Sequence, residues 1–275
     1  MILPSEKQYI PILMYHSISS HASKGFRPCI VSPEAFDKQL AYLEQHHYTS
    51  VTVTQLIQAM IGDVNTLSPR SVVLTFDDGY ADFYTSALPA LQRHGFNATL
   101  YIATAFVEGT SRWLQKVGEG DRPMLSWAQL DEINSSGIEC AAHTHTHPAL
   151  DMLPPSAARD EIVRSKELLE EHLGQRISSF AYPYGFYSSR VMHIVRESGF
   201  DSACAIGRKM SSLHDNAYAL ARLMIWPDTT VDMLETALST GHGPLVASPV
   251  KRIRLGMRLR LRSTYGRLRS GWNAA

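Results

Sequence analysis

The chain has 275 residues, of which 44% are hydrophobic and 19% charged, a balance typical of a folded globular protein that excludes an intrinsically disordered one. Lysine plus arginine equals aspartate plus glutamate at 26 each, so the net charge indicates no particular partner. This length suits one large α/β domain or two small domains.

Apolar, β-rich runs alternate with segments of helical periodicity along the chain. The predicted strands are residues 9–16, 71–76, 97–103, 137–142, 177–183, 201–206 and 221–226, and the predicted helices are residues 33–46, 81–95, 126–137, 155–174 and 188–199. Strands that alternate with helices of this length indicate parallel strands joined by βαβ crossovers. We therefore expect one α/β domain, closed as a barrel or open as a doubly wound sheet, with its functional residues where strands end.

The first polar cluster directly follows a predicted strand. Residues 72–80, VVLTFDDGY, run from apolar side chains into Asp77 and Asp78 and then into Gly79, which permits a tight turn. Two adjacent carboxylates point in different directions, so one can bind a metal while its neighbour transfers a proton. The alternative is an ordinary Asp-Gly turn.

The second cluster is the histidine stretch AAHTHTHP at residues 141–148. In a straight strand His143 and His147 would lie roughly 13 Å apart. One ion with bonds of about 2 Å could then hold only a neighbouring pair such as His143 and His145. A turned backbone would instead bring His143 and His147 together and direct His145 away. The spacing alone leaves both arrangements open, besides a polar strand end whose histidines face solvent.

Two further stretches end predicted strands. The segment SFAYPYGFYS at residues 179–188 leaves its strand through Pro183 and Gly185 and carries three tyrosines. Such aromatic side chains suit stacking on sugar rings, although a tyrosine-rich loop also serves packing. His16 ends the first predicted strand, and for a lone histidine in this position we expect a structural role.

An aspartate and two histidines are ligands that suit Zn²⁺, or iron, cobalt or nickel, with positions left open for water. A metal held in this way lowers the pKa of bound water and polarises a carbonyl group. A free carboxylate next to it can accept the proton of that water. Together these groups predict metal-assisted hydrolysis of an amide or an ester.

These motifs resemble those of the polysaccharide deacetylases of the NodB-homology type, carbohydrate esterase family 4. The family's T-F-D-D-G motif stands at residues 75–79, and its H-[ST]-x-x-H-P motif at residues 143–148. Its third motif, usually R-x-P-[YF]-G, is A-Y-P-Y-G at residues 181–185. FAYPYG and the opening LMYH are similar to the branch that contains biofilm exopolysaccharide deacetylases. The resemblance covers roughly residues 9–230.

The resemblance implies a distorted (β/α) barrel with fewer than eight strands. It also implies that Asp78, His143 and His147 bind a divalent metal, which we expect to be Zn²⁺, with Co²⁺, Ni²⁺ or Fe²⁺ as alternatives. Asp77 would be the general base. The backbone N–H of Tyr184 would complete the oxyanion hole, which makes Tyr184 both a catalytic and a substrate-binding residue.

The sequence departs from the family pattern at two points. The motif-three arginine, which tethers the catalytic aspartate in the family, is Ala181 here. Arg222 is the candidate replacement, and we group it with Tyr184 among the substrate-binding residues. The late L-x-H element that supplies the general acid is not evident. His242 is the late histidine considered for that role, with a plain surface position as the alternative, so the proton donor stays open.

We divide the chain into a catalytic domain of residues 1–245 and a basic tail of residues 246–275. From Lys251 onward the tail contains no acidic residue, and its arginines alternate with leucine and isoleucine. One interpretation is a solvated, partly disordered tail. The other is peripheral contact with an anionic membrane surface, where each basic residue contributes about 1 kcal/mol. We expect no nucleic-acid partner, because no binding motif is present.

Three features predict a cytoplasmic protein that lies at the inner membrane surface if the tail binds there. The first eight residues include a proline and a Ser-Glu-Lys-Gln run, unlike a signal peptide. No window approaches the roughly 18 apolar residues of a membrane span. Cys29, Cys140 and Cys204 fit neither a disulfide framework nor a zinc motif, which favours reduced thiols.

We therefore predict a metal-dependent carbohydrate N-deacetylase that removes acetyl groups from an N-acetylated glycan or a lipid-linked sugar intermediate. One alternative is an esterase or a non-sugar amidase with the same metal chemistry. Another is a carbohydrate-binding homologue with weakened catalysis, which the missing motif-three arginine would allow.

Overall fold

The computed structural model describes residues 9–62, 66–207 and 210–241. Within these ranges the strands are β1 (Tyr9–Ile10), β2 (Ile12–Tyr15), β3 (Ser17–Ile18), β4 (Ile30–Val31), β5 (Thr49–Ser50), β6 (Ser71–Phe76), β7 (Thr99–Ile102), β8 (Glu139–Ala142), β9 (Ser179–Ala181), β10 (Ser202–Ile206), β11 (Ser211–Ser212) and β12 (Leu220–Met224). The α-helices are α1 (Pro33–Gln45), α2 (Val53–Ile61), α3 (Leu88–Arg93), α4 (Trp127–Ser135), α5 (Pro155–Leu173), α6 (Ser189–Glu197) and α7 (Val231–Thr240).

Seven parallel strands close into a barrel. Their order around the ring is β2, β12, β10, β9, β8, β7 and β6, and β6 pairs back onto β2. β5 extends the sheet outside the ring by pairing with β6. The predicted α/β barrel with fewer than eight strands is therefore confirmed.

The side chains of each barrel strand alternate between two cores, as the two-residue period of a strand requires. One face packs beneath the surrounding helices in the larger core cluster. The other face fills the barrel interior together with apolar residues of α2, so that α2 closes the amino end of the barrel. The interior cluster contains Ile12, Val73, Tyr101, Ala141, Ala181, Cys204 and Leu220 from the strands and Val53, Leu56, Ile57 and Ala59 from α2.

The sequence analysis missed α2 and α7. Both helices begin at a threonine whose side chain accepts a hydrogen bond from the backbone N–H three residues later. At α2 this is a full capping box between Thr52 and Gln55, which is a sequence-level start signal. The predicted helix 81–95 is a π-helical turn, Phe83–Ala87, followed by α3. Pro89 in the first turn of α3 has no N–H to continue an α-helical ladder backwards.

The ring has one weak joint, between β8 and β9. These strands share a single register pair, Ala142 with Phe180, whereas every other neighbouring pair in the ring shares at least two. The Nδ1–H of His143, just beyond β8, donates a hydrogen bond to the carbonyl oxygen of Ala181 on β9 at 2.8 Å. A side chain thus supplies a bond across this joint.

Three other predictions concern the rest of the chain. Cys29, Cys140 and Cys204 form no disulfide. None of the helices in the described ranges has the length and apolar character needed to cross a membrane. His242 and the basic tail lie outside the described residues, so the boundary at residue 245 stays a prediction.

Candidate active site

Asp77 lies at the carboxyl end of β6 and pairs with Arg222 of β12. Both side chains point into the barrel because they continue the inward-facing alternation of Val73 and Thr75 on β6 and of Leu220 on β12. The guanidinium donates from Nη1 to Asp77 Oδ1 at 2.6 Å and from Nη2 to Asp77 Oδ2 at 2.7 Å. This bidentate pair fixes the plane of the carboxylate.

The ion pair keeps Asp77 in its charged form. Burial alone would raise the pKa of Asp77, but the charge of Arg222 and its hydrogen bonds, together with the electrostatic interaction with His143, outweigh it and hold that pKa below its usual value. Arg222 is 0% exposed and also donates from Nε to the carbonyl oxygen of Ala205 at 3.2 Å. Arg222 was also predicted to bind substrate; its complete burial does not favour that role, which stays a prediction. Its contacts are those of the arginine that tethers the aspartate.

Asp78, His143 and His147 meet at one point beside this pair. The Nε2 atoms of His143 and His147 lie 3.4 Å and 3.0 Å from the same atom, Asp78 Oδ1. All three side chains are buried, and one potential ligand atom from each lies within 4.8 Å of the others. Burial would raise the pKa of Asp78, but the two histidines hold it well below its usual value.

The histidine stretch adopts the turned arrangement and not the extended one. Thr144 has φ of 66° and His147 has φ of 58°, both in the left-handed region. The backbone N–H of His147 donates to Thr144 Oγ1 at 3.0 Å, which closes the turn. The ring centroids of His143 and His147 consequently lie 4.9 Å apart.

His145 points away from this cluster. Its Nδ1 lies 2.9 Å from Thr104 Oγ1, and its backbone carbonyl accepts a hydrogen bond from Ala105 at 2.8 Å. The side chain is partly exposed. The alternative in which His143 and His145 act as a neighbouring pair is therefore not the one that the structure adopts.

The donor set fits a divalent metal. Because His143 Nδ1 donates to a carbonyl, the neutral ring carries its lone pair on Nε2, the atom directed at Asp78. Two imidazole nitrogens and one carboxylate oxygen in a buried cluster match the ligands of a catalytic zinc site that keeps a position open. Asp78 also has φ of 80°, and such strain in a non-glycine residue is common at ligand sites.

Tyr184 lies at the exposed rim of the cluster. Its ring is 44% exposed and its centroid lies 4.8 Å from that of His147 in an edge-on contact. The residue has φ of 60° and is followed by Gly185 with φ of 70°. A Cβ on Gly185 would lie 2.4 Å from Ile206 Cγ1, so the close approach to β10 requires glycine there. The turn thus places Tyr184 beside His147, one of the candidate metal ligands.

His16, for which the sequence analysis expected a structural role, also lies next to this cluster. It follows β2, the neighbour of β6 in the ring, and it interacts electrostatically with Asp77, Asp78 and His143. Burial lowers the pKa of His16, and the two carboxylates oppose that effect. Its Nδ1 is buried with no hydrogen-bond partner among the described residues, unlike that of a structural histidine. In the sequence, the signal that could have placed His16 in the site is its position directly after a predicted strand, like that of Asp77.

Comparison with known sequences gives a consistent result. A family model described as polysaccharide deacetylase matches residues 64–203, about half of the chain. YxkH of Bacillus subtilis, named after the same family, is 28% identical over 218 residues, which cover 79% of this chain and 72% of that protein. The poly-beta-1,6-N-acetyl-D-glucosamine N-deacetylase of Staphylococcus epidermidis is 23% identical over 230 residues, covering 80% and 75%.

Two solved structures superpose over most of the chain. The Streptococcus pyogenes deacetylase PplD in complex with acetate matches with a TM-score of 0.72 and 27% identity, covering 86% of this chain and 99% of that one. IcaB from Ammonifex degensii matches with a TM-score of 0.72 and 26% identity, covering 84% and 97%. Fold, motifs and matched residues agree, and the chain belongs to the polysaccharide deacetylase family.

Proposed function

We propose that this chain is a metal-dependent hydrolase that removes acetyl groups from N-acetylated amino sugars of a glycan or a lipid-linked glycan intermediate. The observation that carries the proposal is the buried cluster of Asp78, His143 and His147 next to an ionised Asp77. The relative from Staphylococcus epidermidis acts, by its name, on a polymer of N-acetylglucosamine, which supports an amide of an amino sugar as the substrate.

Asp78, His143 and His147 would hold the metal, for which we propose Zn²⁺ because two imidazoles and a carboxylate suit it. A divalent ion bound there would lower the pKa of a water molecule and polarise a carbonyl group. Asp77 accepts the proton of the attacking water, since Arg222 keeps its carboxylate ionised and in a fixed orientation. The backbone N–H of Tyr184 donates to the substrate oxygen that gains negative charge.

His16 is our candidate for the proton donor to the leaving amine. When the C–N bond of the amide breaks, the amine nitrogen needs one proton, and protonated His16 can give it. Because burial lowers the pKa of His16, its imidazolium form is a stronger acid than free imidazolium. The role left open in the sequence analysis thus passes to a residue on the first barrel strand instead of His242.

The ion pair between Arg222 and Asp77 also bears on the rival interpretations. The weakened binding homologue depended on the missing motif-three arginine, and Arg222 makes the contact that was expected of that arginine. Esterase and non-sugar amidase activity share the same catalytic groups. A screen for acetate release from N-acetylglucosamine oligomers, sugar acetates and simple acetamides therefore compares the three substrate classes directly.

The decisive experiment measures acetate release from N-acetylglucosamine oligomers together with bound metal. We expect the activity of the purified protein to disappear after chelation and to return on adding Zn²⁺. Asp78→Ala should lose both the metal and the activity, while Asp77→Asn should keep the metal and lose at least a hundredfold in kcat. Full activity in Asp78→Ala, or activity insensitive to chelation, would contradict the proposal.

The location of the protein is a separate proposal. The run of basic residues after Lys251 supports contact with an anionic membrane surface in the cytoplasm, close to lipid-linked substrates. Cosedimentation with phosphatidylglycerol vesicles, but not with phosphatidylcholine vesicles, is the expected result. A chain shortened after residue 245 should lose this binding. Equal binding of the full and the shortened chain to the vesicles would contradict a role of the tail in membrane contact.

A further inference from the structure

The segment of residues 104–125, which follows β7, is fixed beside the candidate metal centre. Its backbone is bonded to the turn after Asp78: Leu125 N donates to Gly79 O at 3.0 Å, and Ala81 N donates to Pro123 O at 3.0 Å. The segment therefore keeps a constant position relative to the catalytic carboxylates.

Arg122 holds this segment in place through several contacts with other parts of the chain. Its guanidinium donates to Asp82 Oδ2 at 3.1 Å, to Ser17 Oγ at 3.2 Å and to the carbonyl oxygen of His21 at 2.8 Å. It also lies 4.7 Å over the ring of Phe26. A largely buried cation with this many partners anchors the segment to the loop that follows β3.

Trp113 projects from this anchored segment onto a candidate metal ligand. Its ring packs against Phe106 with a centroid distance of 4.3 Å and lies 5.3 Å from the ring of His147 at an interplanar angle of 33°. One part of the ring remains exposed. Among the residues that the structure describes, its indole N–H has no hydrogen-bond partner. A buried indole N–H usually finds a protein partner, so this partly exposed and unbonded N–H is available to a ligand.

Tyr184 flanks the same histidine from a different segment. Its ring meets that of His147 at 4.8 Å and an angle of 68°, and it comes from the turn after β9, whereas Trp113 comes from the segment after β7. Two partly exposed aromatic rings thus contact the ring of one candidate metal ligand. The apolar C–H face of a pyranose ring is a chemical group that such rings stack on, while an indole N–H can donate to a sugar hydroxyl.

We propose that Trp113 is a substrate-binding residue that stacks on a pyranose ring of the glycan and, with Tyr184, selects sugar amides over small acetyl compounds. This inference rests on the proposed function and adds a specificity determinant to it. No sequence motif pointed to Trp113. It lies between the motifs at residues 75–79 and 143–148, in a segment without strand or helix periodicity.

The direct test measures binding without turnover, in the Asp77→Asn background, with an N-acetylglucosamine tetramer as probe. We expect Trp113→Ala to weaken the Kd from calorimetry about fivefold to tenfold, the effect of losing one aromatic stacking contact. Trp113→Phe should restore most of the affinity. The matched control is Trp127→Ala, because Trp127 also stacks on a histidine, His172 at 3.8 Å, but on an outer helix. An unchanged Kd in Trp113→Ala would overturn the proposal.

Kinetics in the otherwise native enzyme separate this proposal from the proposed function. Trp113→Ala should raise KM for the tetramer by the same factor, and this increase should exceed any change in KM for nitrophenyl acetate, which has no sugar ring. Equal losses on both substrates with weaker Zn²⁺ binding would assign Trp113 a structural role and overturn the proposal. If the native enzyme binds the tetramer through Trp113 but releases no acetate, the proposed function fails and the stacking role stands.

Discussion

The two ends of the barrel each hold a carboxylate with several hydrogen-bond partners, but Glu139 at the amino end is partly exposed whereas Asp77 at the carboxyl end is buried. At the amino end, Glu139 accepts hydrogen bonds from Thr54 N at 3.3 Å, from Thr99 Oγ1 at 2.7 Å and from Thr54 Oγ1. At the carboxyl end, Asp77 is surrounded by strained backbone and by a buried, unpartnered nitrogen of His16. The donors around Glu139 come from the protein alone, whereas the groups beside Asp77 include the candidate metal ligands.

This difference shows where the fold gives up stability for function. Asp78, Thr144, His147 and Tyr184 have φ between 58° and 80°, and a non-glycine residue held in such a conformation costs about 1–3 kcal/mol. All four lie at the carboxyl end, as does Glu108 in the segment after β7, whereas His47, with φ of 57°, precedes β5. The amino end is instead closed by α2 with an intact capping box and an apolar plug. Substitutions at the two ends should therefore separate activity from stability.

Arg222→Met should have the largest effect and should reduce both quantities. Removing the guanidinium leaves Asp77 buried and unpaired, which should lower the free energy of unfolding by about 3–5 kcal/mol and kcat at least a hundredfold. The double variant Arg222→Met with Asp77→Asn should recover most of the stability and none of the activity. Urea denaturation and acetate release measure both. A stable and active single variant would mean that the ion pair is needed neither for stability nor for catalysis.

Gly185→Ala should be the next most harmful change. The added Cβ would approach Ile206 within 2.4 Å at φ of 70°, so we expect a loss of about 2–4 kcal/mol and a lower kcat through displacement of Tyr184. Gly174→Ala is the matched control, since Gly174 has φ of 62° but nothing within 4 Å of the new Cβ. It should cost about 1 kcal/mol and leave kcat unchanged. Equal effects of the two changes would refute the steric argument.

Glu139→Gln tests the amino end. Loss of the charge weakens the hydrogen bonds from Thr54 and Thr99, which should lower the free energy of unfolding by about 1–3 kcal/mol while kcat and metal affinity stay within twofold. The exposed Glu171 provides the control, and Glu171→Gln should change neither quantity measurably. A drop in kcat for Glu139→Gln would show that the two ends are not independent.

His145→Ala should have the smallest effect and makes the sharpest comparison within the carboxyl end. Its side chain contacts Thr104, so its loss should leave the Zn²⁺ affinity within twofold. His147→Ala removes a candidate ligand two residues away and should weaken Zn²⁺ binding at least a hundredfold. Competition with a chromogenic chelator measures both affinities. If His145→Ala weakened binding as much as His147→Ala, the assignment of ligands would have to be revised.

Local patterns predicted the alternation of strands and helices and the polar strand ends, while the choice of a closed barrel came from the family resemblance. The alternation of β6 places Asp77 inside the barrel and at its carboxyl edge, and the same rule applied to β2 would have placed His16 there. The helix α2 was missed although Thr52 and Gln55 carry its start signal. That omission hid how the barrel is closed at its amino end.

Other features depend on tertiary contacts that no local pattern contains. Arg222 meets Asp77 across 145 positions of sequence, and its complete burial shows only in the folded barrel. The choice between two histidine pairs depends on positive φ at Thr144 and His147, residue types that rarely adopt it. Trp113 reaches His147 only because Arg122 anchors a segment with no periodicity.

The hydrogen bond from His143 to Ala181 has a consequence for the energetics of the whole barrel. The joint between β8 and β9 and the candidate metal centre share a single imidazole, so the ring orientation that closes the joint is also the one that would present Nε2 to an ion. Closure of the joint and metal binding are therefore coupled, and the coupling free energy is the same in both directions. Metal occupancy should therefore slow amide hydrogen exchange in β9, and loosening of that joint should weaken the hold on the metal.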